Sequence, residues 1–285
     1  MAELLLGKDV NADLNERLLS RVEKLKEKAV IPQLAIIRVG ERPDDLSYEH
    51  SAEVRCEKLG VKICKSVLPA DCSKEDVIDA IHKANEDSSV HGVLLFRPLP
   101  KGIDEEAVIR ELDPAKDMDG ITTASMAGVF AGNGLGYPPC TAQAVMEILR
   151  HYNIPLAGKK AVVVGRSMVI GKPVAMMLLK ENATVTICHT KTVDMPSVVR
   201  DADLVVVAAG HAGVINGEFV REGQVVIDVG INVNEEGKLC GDVDFASVEP
   251  VVAQLTPVPR GVGSVTTSVL AEHVVSAAEK AAGKE

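Results

Sequence analysis

A glycine turn between a predicted strand and a predicted helix is the first stretch with recognisable chemistry. Four small apolar residues, Ala161 to Val164, end at Gly165, and helix-forming sequence resumes over residues 172–179. The start of a helix presents unpaired backbone N–H groups and the positive end of the helix dipole, so this turn predicts a phosphate site. Its spacing, Gly165-x5-Gly171, differs from Gly-x-Gly-x-x-Gly, which leaves a purely structural turn as the alternative.

The next predicted strand indicates which nucleotide would fit. Residues 183–188 alternate and include β-branched side chains, and His189, Thr190 and Lys191 follow, where an NAD site carries Asp or Glu for the ribose hydroxyl. An acidic residue would repel a 2′-phosphate, whereas a basic and hydroxyl-bearing cluster together with Arg166 would hold one. The sequence therefore predicts NADP rather than NAD as the cofactor.

Two further candidates for ligand binding lie in the N-terminal half. The ring of Tyr48 either packs in a core or gives a flat surface on which an aromatic ligand stacks. The segment Asp117-Met118-Asp119-Gly120 is either an ordinary surface turn or the source of a carboxylate that accepts paired N–H groups from a heterocycle. The residues alone leave both alternatives open.

The elements that position these residues predict two doubly wound α/β domains. Buried-type strands alternate with amphipathic helices along the chain, which is typical of parallel sheets covered by helices. The first half contains predicted helices at 10–28, 44–60, 74–85 and 103–112 and predicted strands at 33–39, 61–68 and 90–96. The second half contains a predicted helix at 142–152, strands at 160–164, 184–188, 204–208 and 225–229, and a last helix at 265–282.

A segment without sustained periodicity separates the two halves. Residues 113–141 are rich in Gly, Asp, Thr, Asn and Pro, and a loop of that length is usually functional or a linker. We predict a first domain over residues 1–140, to which residues 265–285 return, and a Rossmann domain over residues 141–264. The apolar face of the last helix is expected to pack on the first domain and to close a cleft between the two.

Composition restricts the class of protein. The chain has 285 residues, 46% hydrophobic and 25% charged, which is ordinary for a globular protein. A net charge of -10 without a run of basic residues argues against a nucleic-acid partner. The six cysteines are scattered, and neither a signal peptide nor an apolar run of transmembrane length is evident, so we predict a cytoplasmic protein without a membrane partner and assign no metal site. Among the cysteines, Cys188 is interpreted as a small buried hydrophobe rather than a nucleophile.

Several short motifs follow one another in a specific order. They are Ser47-Tyr48, Pro98-Leu99-Pro100, Lys116-Asp117-x-Asp119-Gly120, Pro139-Cys140-Thr141, Gly165-Arg166-Ser167-x-x-x-Gly171-Lys172-Pro173, Asp228-Val229-Gly230 and Thr256-Pro257-Val258-Pro259. With this ordered set the chain resembles the methylenetetrahydrofolate dehydrogenase/cyclohydrolase family over nearly its full length. The resemblance implies a homodimer of one-carbon metabolism with a folate-binding N-terminal domain and an NADP-binding Rossmann domain.

The resemblance also implies roles for individual residues. Tyr48 would stack on the tetrahydrofolate derivative and Asp119 would anchor its pterin ring. The residues that would line the cofactor are Gly165, Arg166, Ser167, Thr190 and Ile231, to which the charge argument adds His189.

Two departures from the family pattern concern proton transfer. The family's catalytic Lys, four residues after the Tyr, is replaced by Ala52, and the Gln that supports it is replaced by Phe96. Hydride transfer depends mainly on positioning, whereas hydrolysis of the methenyl product needs a group that activates water and moves protons. Arg55 and Lys58 lie about one helical turn or more from position 52. We therefore predict a dehydrogenase whose cyclohydrolase activity is lost or strongly reduced, with a bifunctional enzyme using a replacement base and a non-catalytic NADP- or folate-binding protein as alternatives.

A third departure is Arg260, which stands where the family usually has Gly. The glycine would allow a close approach of the ligand or an unusual φ. An arginine would contact the glutamate tail of folate or the phosphates of the cofactor. The sequence does not choose between these interpretations.

Overall fold

The computed structural model describes residues 1–283, and the chain forms two compact units. The first unit consists of Met1–Ala12 and Thr141–Thr266, and the second consists of Asp13–Cys140 and the C-terminal segment that begins at Thr267. Residues 284 and 285, part of the predicted returning segment, lie outside the described residues. Each unit is therefore built from two separate segments of the chain.

The elements are numbered in chain order. The strands are β1 (Glu3–Leu4), β2 (Gln33–Val39), β3 (Lys62–Leu68), β4 (Gly92–Leu95), β5 (Lys160–Val164), β6 (Thr184–Cys188), β7 (Leu204–Val207), β8 (Val225–Asp228), β9 (Asn232–Val233), β10 (Leu239–Cys240) and β11 (Gln254–Leu255). The helices are α1 (Gly7–Glu27), α2 (Pro43–Leu59), α3 (Lys74–Glu86), α4 (Glu105–Arg110), α5 (Thr123–Ala131), α6 (Cys140–His151), α7 (Gly171–Lys180), α8 (Met195–Arg200), α9 (Phe245–Val248) and α10 (Thr266–Ala282).

Within residues 1–283, the first unit is organised around a six-stranded parallel sheet in the order β1-β11-β8-β7-β5-β6. Its central strands are nearly continuous runs of Val and Ile, as expected for strands buried on both faces. The register pairs Val164 with both Cys188 and Val207, and Val207 with Asp228. The loops that follow these strands consequently leave the same edge of the sheet, where open α/β sheets bind their ligands.

The second unit contains a three-stranded parallel sheet in the order β3-β2-β4 in the described part of the chain. One face of this sheet packs against α3 and α4, with Ile37, Leu95, Ile81 and Val108 in a common core. The buried residues of α2 recur at intervals of three and four, which is the pattern of a helix with one face against a core. They are Asp45, Glu49, Ala52, Cys56 and Leu59.

The predicted fold class, with two α/β domains and parallel sheets, is confirmed. Strands 33–39, 160–164 and 184–188 have the predicted bounds, and Gly60 ends α2 in the left-handed conformation. The prediction of an irregular segment over 113–141 was wrong in part, because α5 lies within it. No helix among residues 1–283 combines the length and apolar character needed to cross a membrane.

Candidate active site

Tyr48, Ala52 and Phe96 belong to the second unit. The rings of Tyr48 and Phe96 meet edge to face, with centroids 6.0 Å apart and an interplanar angle of 80°. Phe96 is 9% exposed and Ala52 is 0% exposed. The residue at position 96 therefore supports the Tyr48 ring, and neither a phenyl ring nor a methyl group at these two positions can donate or accept a proton.

Two basic residues, Arg55 and Lys58, follow position 52 on α2. The Nη1 atom of Arg55 donates a hydrogen bond of 3.0 Å to Asn15 Oδ1 on α1, and Arg55 Nε is buried without a partner among residues 1–283. Burial lowers the pKa of Arg55, yet a guanidinium group stays protonated in proteins and is a poor proton shuttle. Lys58 is exposed.

Asp117 and Asp119, which the sequence could not tell apart, have different hydrogen-bond partners in the structure. Asp117 is buried, and its oxygens accept hydrogen bonds from Ile121 N–H (3.0 Å), Thr122 N–H (2.8 Å) and the Ser125 hydroxyl (2.7 Å). Asp117 therefore fixes the turn that leads into α5. Asp119 is half-buried, and its Oδ1 atom accepts one hydrogen bond of 3.1 Å from Cys140 N–H, which leaves carboxylate lone pairs for a ligand.

The charge of Asp119 is set by its surroundings in the second unit. Burial raises the pKa of the Asp119 carboxyl; the hydrogen bonds from Cys140 oppose that rise most, and the guanidinium group of Arg97 opposes it to a smaller extent. Arg97 Nη1 lies 2.9 Å from Glu105 Oε1, and Glu105 Oε2 accepts a hydrogen bond of 2.9 Å from Leu99 N–H. Glu105 thus fixes both the backbone at Leu99 and the guanidinium group of Arg97 in the loop after β4. Sequence reasoning did not single out Glu105, because its partners are only recognisable once the loop conformation is known.

In the first unit, Gly165 ends β5 in a conformation that other residues rarely adopt. Its φ is 127°, and a Cβ at this position would lie 2.1 Å from the carbonyl oxygen of Ala208 after β7. Glycine is therefore required both by backbone conformation and by the close approach of two strand ends. This contact draws the loop after β5 towards the loop after β7.

Ser167 accepts hydrogen bonds from the backbone amides at the start of α7. Its hydroxyl accepts hydrogen bonds from Ile170 N–H (3.1 Å) and Gly171 N–H (3.5 Å), and its carbonyl oxygen accepts one from Lys172 N–H (3.0 Å). The first amides of α7 are therefore already paired, so the expectation that they serve as free phosphate donors was wrong. Among residues 1–283, the backbone amides of residues 166–169 make no hydrogen bond, and these amides precede the helix.

The residues after β6 form a compact turn. Thr192 Oγ1 accepts a hydrogen bond of 2.9 Å from His189 N–H, and His189 Nδ1 accepts one of 3.1 Å from Lys191 N–H. Thr190 and Lys191 are exposed, as is Arg166 after β5. Thr192 was missed by sequence reasoning, although a Thr three residues after His189, the first residue beyond the strand, is a recognisable turn signal. Cys188 is fully buried, and burial raises the pKa of its thiol, so the interpretation as a buried hydrophobe is confirmed.

Two family models cover most of the chain. The model described as the catalytic domain of tetrahydrofolate dehydrogenase/cyclohydrolase matches residues 5–119, and the model described as its NAD(P)-binding domain matches residues 139–282. The chain belongs to the tetrahydrofolate dehydrogenase/cyclohydrolase family. The family membership predicted from the sequence is thereby confirmed.

Individual relatives within the family resemble the chain over nearly its whole length. The bifunctional protein FolD of Alkaliphilus oremlandii is 50% identical over 277 residues, 97% of each chain. The structure of the bifunctional FolD enzyme from Campylobacter jejuni has a TM-score of 0.95 at 38% identity and covers 98% of this chain and 99% of its own. The FolD of Trypanosoma brucei, solved with NADP cofactor and inhibitor, has a TM-score of 0.91 at 33% identity, with 98% of both chains covered.

The departure from the family at Arg260 has a conformational basis. Arg260 is exposed, its φ is 84°, and its carbonyl oxygen accepts a hydrogen bond of 2.9 Å from Gly7 N–H. This is the left-handed region that favours glycine, and a side chain there costs about 1–2 kcal/mol. Glycine would adopt the backbone conformation at position 260 without this cost, and the chain carries an arginine there despite it.

Proposed function

We propose that this protein is a methylenetetrahydrofolate dehydrogenase that uses NADP and has lost most or all cyclohydrolase activity. The observation that carries the proposal is the pair of residues beside Tyr48. Position 52 is a fully buried alanine, and position 96 is a phenylalanine whose ring packs edge-on against the tyrosine. A site with this lining can hold a folate ring but has no group at these positions to activate water.

The substrate side of the reaction requires binding and orientation. The Tyr48 ring, supported by Phe96, offers a flat surface to the pterin, and the carboxylate of Asp119 accepts the paired N–H groups of its amino-pyrimidine edge. We assign the folate site to residues 1–140 together with the returning segment 265–285. Orientation of the methylene carbon is the main contribution that oxidation demands, and no acid or base is obligatory for it.

The cofactor side is assigned to residues 141–264. The unpaired amides of residues 166–169 and the close approach at Gly165 fit a diphosphate, and Arg166 with the turn from His189 to Lys191 fits a 2′-phosphate. Thr190 and Ile231 are proposed to line the same site. NADP, when bound there, supplies the acceptor for the hydride that leaves the methylene carbon, and the folate is left as the methenyl cation.

Hydrolysis of that cation makes different demands. Water must lose a proton as it attacks the methenyl carbon, and a proton must reach one ring nitrogen as the C–N bond breaks. Groups that move protons in this way contribute about 10²–10⁴-fold to a rate, so we expect a cyclohydrolase deficit of that order. The bifunctional alternative is supported by the similarity to bifunctional relatives such as the FolD protein of A. oremlandii, and it requires a base elsewhere in the site.

One assay separates these alternatives. Purified protein is supplied with methenyl-tetrahydrofolate, and the loss of its absorbance is followed against a protein-free sample that corrects for spontaneous hydrolysis. We expect hydrolysis close to the spontaneous rate, while the same preparation reduces NADP in the presence of methylenetetrahydrofolate. A hydrolytic turnover equal to the dehydrogenase turnover would contradict the proposal, and binding of NADP without any reduction would favour a non-catalytic protein. The family resemblance also supports a cytoplasmic homodimer. Light scattering of the purified protein tests whether it is a dimer.

A further inference from the structure

A second pair of buried carboxylates lies at the ligand-binding edge of the large sheet. Asp242 is 0% exposed, and its Oδ2 atom accepts hydrogen bonds from Ala209 N–H (2.6 Å) and Gly210 N–H (2.8 Å). Its Oδ1 atom accepts a hydrogen bond of 2.9 Å from Asn232 Nδ2. One side chain therefore joins the loop after β7 to the loop after β8.

Asp228, at the end of β8, holds Asp242 in place. Its Oδ1 atom accepts hydrogen bonds from the backbone N–H groups of Gly230 and Asp242, both at 3.0 Å, and its Oδ2 atom accepts one from Val243 N–H, also at 3.0 Å. A buried carboxylate with several N–H donors is stable only while those donors remain in place. Asp228 thus fixes the backbone on both sides of the Asp242 side chain, through the N–H groups of Asp242 and Val243.

The segment between these contacts contains a residue already proposed to line the cofactor site. A Cβ at Gly230 would lie 2.3 Å from Asp242 Cγ, so the loop approaches Asp242 more closely than any side chain would permit. Ile231 follows with 66% of its surface exposed, and Asn232 comes next, bonded to Asp242. Ile231 is therefore held on both sides while its side chain remains available to a ligand.

We propose that Asp242 is a positioning residue for the cofactor, which fixes the loops after β7 and β8 in the conformation that binds NADP. The proposal rests on the proposed use of NADP at this edge of the sheet. Loops that are already ordered lose little conformational freedom on binding, so affinity increases without any direct contact from Asp242. Without its carboxylate, two buried amides and one side-chain amide would lose their acceptor in the free protein.

Three variants and one control test the proposal by titration of NADP into purified, folded protein. Asp242→Ala removes every acceptor and is expected to raise the Kd for NADP by about 10- to 100-fold. Asp242→Asn is the conservative variant. Its side-chain oxygen can still accept hydrogen bonds from Ala209 N–H and Gly210 N–H, and its NH₂ group can donate to the oxygen of Asn232 once that amide has turned over. We expect the Kd for NADP to rise by only about 3-fold. Asn232→Ala removes only the contact beside Ile231 and is expected to raise Kd by about 5-fold. Asn216→Ala, in the same unit, loses one local hydrogen bond to Glu218 N–H and should bind like the wild type.

The kinetic readout separates positioning from a general loss of structure. In Asn232→Ala, which removes a single half-buried side chain, the KM for NADP should rise while the KM for methylenetetrahydrofolate and the melting temperature stay near wild-type values. Wild-type NADP affinity in Asn232→Ala and Asp242→Ala would overturn the proposal, as would an equal loss of affinity for both ligands. If the wild-type protein itself binds no NADP in the titration, the proposed cofactor use fails and the positioning role fails with it. If instead the wild type and the variants bind NADP with the same affinity, only the positioning role of Asp242 fails.

Discussion

The ring of Phe96 stands edge-on to the ring of Tyr48, with 6.0 Å between the centroids. Edge-to-face pairs of this kind contribute about 0.5–1.5 kcal/mol beyond the area they bury. The contact holds the Tyr48 ring in one orientation, which favours stacking of a ligand. Phe96 is itself 9% exposed and carries no polar group, so the residue that supports the Tyr48 ring offers it no hydrogen-bond partner.

Introducing a lysine at position 52 together with a glutamine at position 96 should increase the hydrolysis of methenyl-tetrahydrofolate. We expect Ala52→Lys combined with Phe96→Gln to hydrolyse methenyl-tetrahydrofolate about 10²–10⁴-fold faster than the wild type, because an amine and a supporting amide return together. Ala52→Lys alone should gain much less, since its ammonium group would be buried beside the Phe96 ring without an acceptor. The measurement is the decay of methenyl absorbance, and circular dichroism and NADP reduction confirm a folded, active protein. A folded double variant with no gain would contradict this account of the lost activity.

The two carboxylates of the Asp117–Asp119 segment should fail in different ways. Asp119→Asn is expected to raise the KM for methylenetetrahydrofolate by about 10- to 100-fold, because an amide presents a donor where the pterin needs an acceptor. Asp117→Asn should instead lower the free energy of unfolding by about 1–3 kcal/mol, because Asp117 accepts three hydrogen bonds inside its own turn. Steady-state kinetics and urea unfolding of both variants check the distinction. Similar losses of stability in both would argue that Asp119 is only structural.

Arg166 should determine the choice between NADP and NAD. Its side chain is exposed after β5, and loss of a charge-assisted contact to the 2′-phosphate is expected to lower kcat/KM for NADP by about 10- to 100-fold in Arg166→Ala. The value for NAD, which lacks that phosphate, should change by less than about 3-fold. Lys180→Ala, at the far end of α7, is the matched control for removal of a positive charge. A parallel fall with both cofactors would place Arg166 at the diphosphate instead.

Asp228 predicts a dependence of stability on pH. Burial raises the pKa of its carboxyl to about 6, despite the three backbone N–H groups that favour the anion. Because this value lies above that of the unfolded chain, its contribution to stability is complete below about pH 4 and is lost as the pH rises through 6. The free energy of unfolding of the wild type, relative to Asp228→Asn, should therefore fall by about 2 kcal/mol between pH 4 and pH 7. Urea unfolding at several pH values measures this difference, and a difference that is constant over the range would contradict it.

The strands were predictable because their sequences carry a local signal. The valine-rich runs of β5 and β7, and the glycine that ends α2, identify these elements within a few residues. The helix α5 was missed because Ala, Gly, Ser and Met give it no apolar stripe, and its start is fixed by Thr122 and Asp117 rather than by periodicity. The strands β1 and β11 were missed because two residues are too short for a pattern, and each exists only through its partner.

The roles of the candidate site residues remain predictions, and the structure adds contacts that the sequence does not reveal. The sequence predicted that Tyr48, Ala52 and Phe96 belong to one site, and the structure shows the rings of Tyr48 and Phe96 in contact. The sequence did not show which of Asp117 and Asp119 stabilises the turn and which is available to a ligand, because either residue type is common in both roles. Asp242 escaped notice entirely, since its partners at positions 209, 210 and 232 are brought to it only by the order of strands in the sheet.

The discontinuous build of both units has a consequence for how the protein is made. The edge strand β1 is synthesised about 250 residues before its partner β11, and the second unit receives α10 after both. During translation neither unit can be completed while the segment between them is emerging, so the first unit must await β11 and the second must await α10. A contiguous fragment such as residues 141–266 would also leave the edge of β11 unpaired, and an unpaired edge is prone to aggregation. Because each unit takes segments from both ends of the described chain, a cut between residues 140 and 141 would leave both units incomplete.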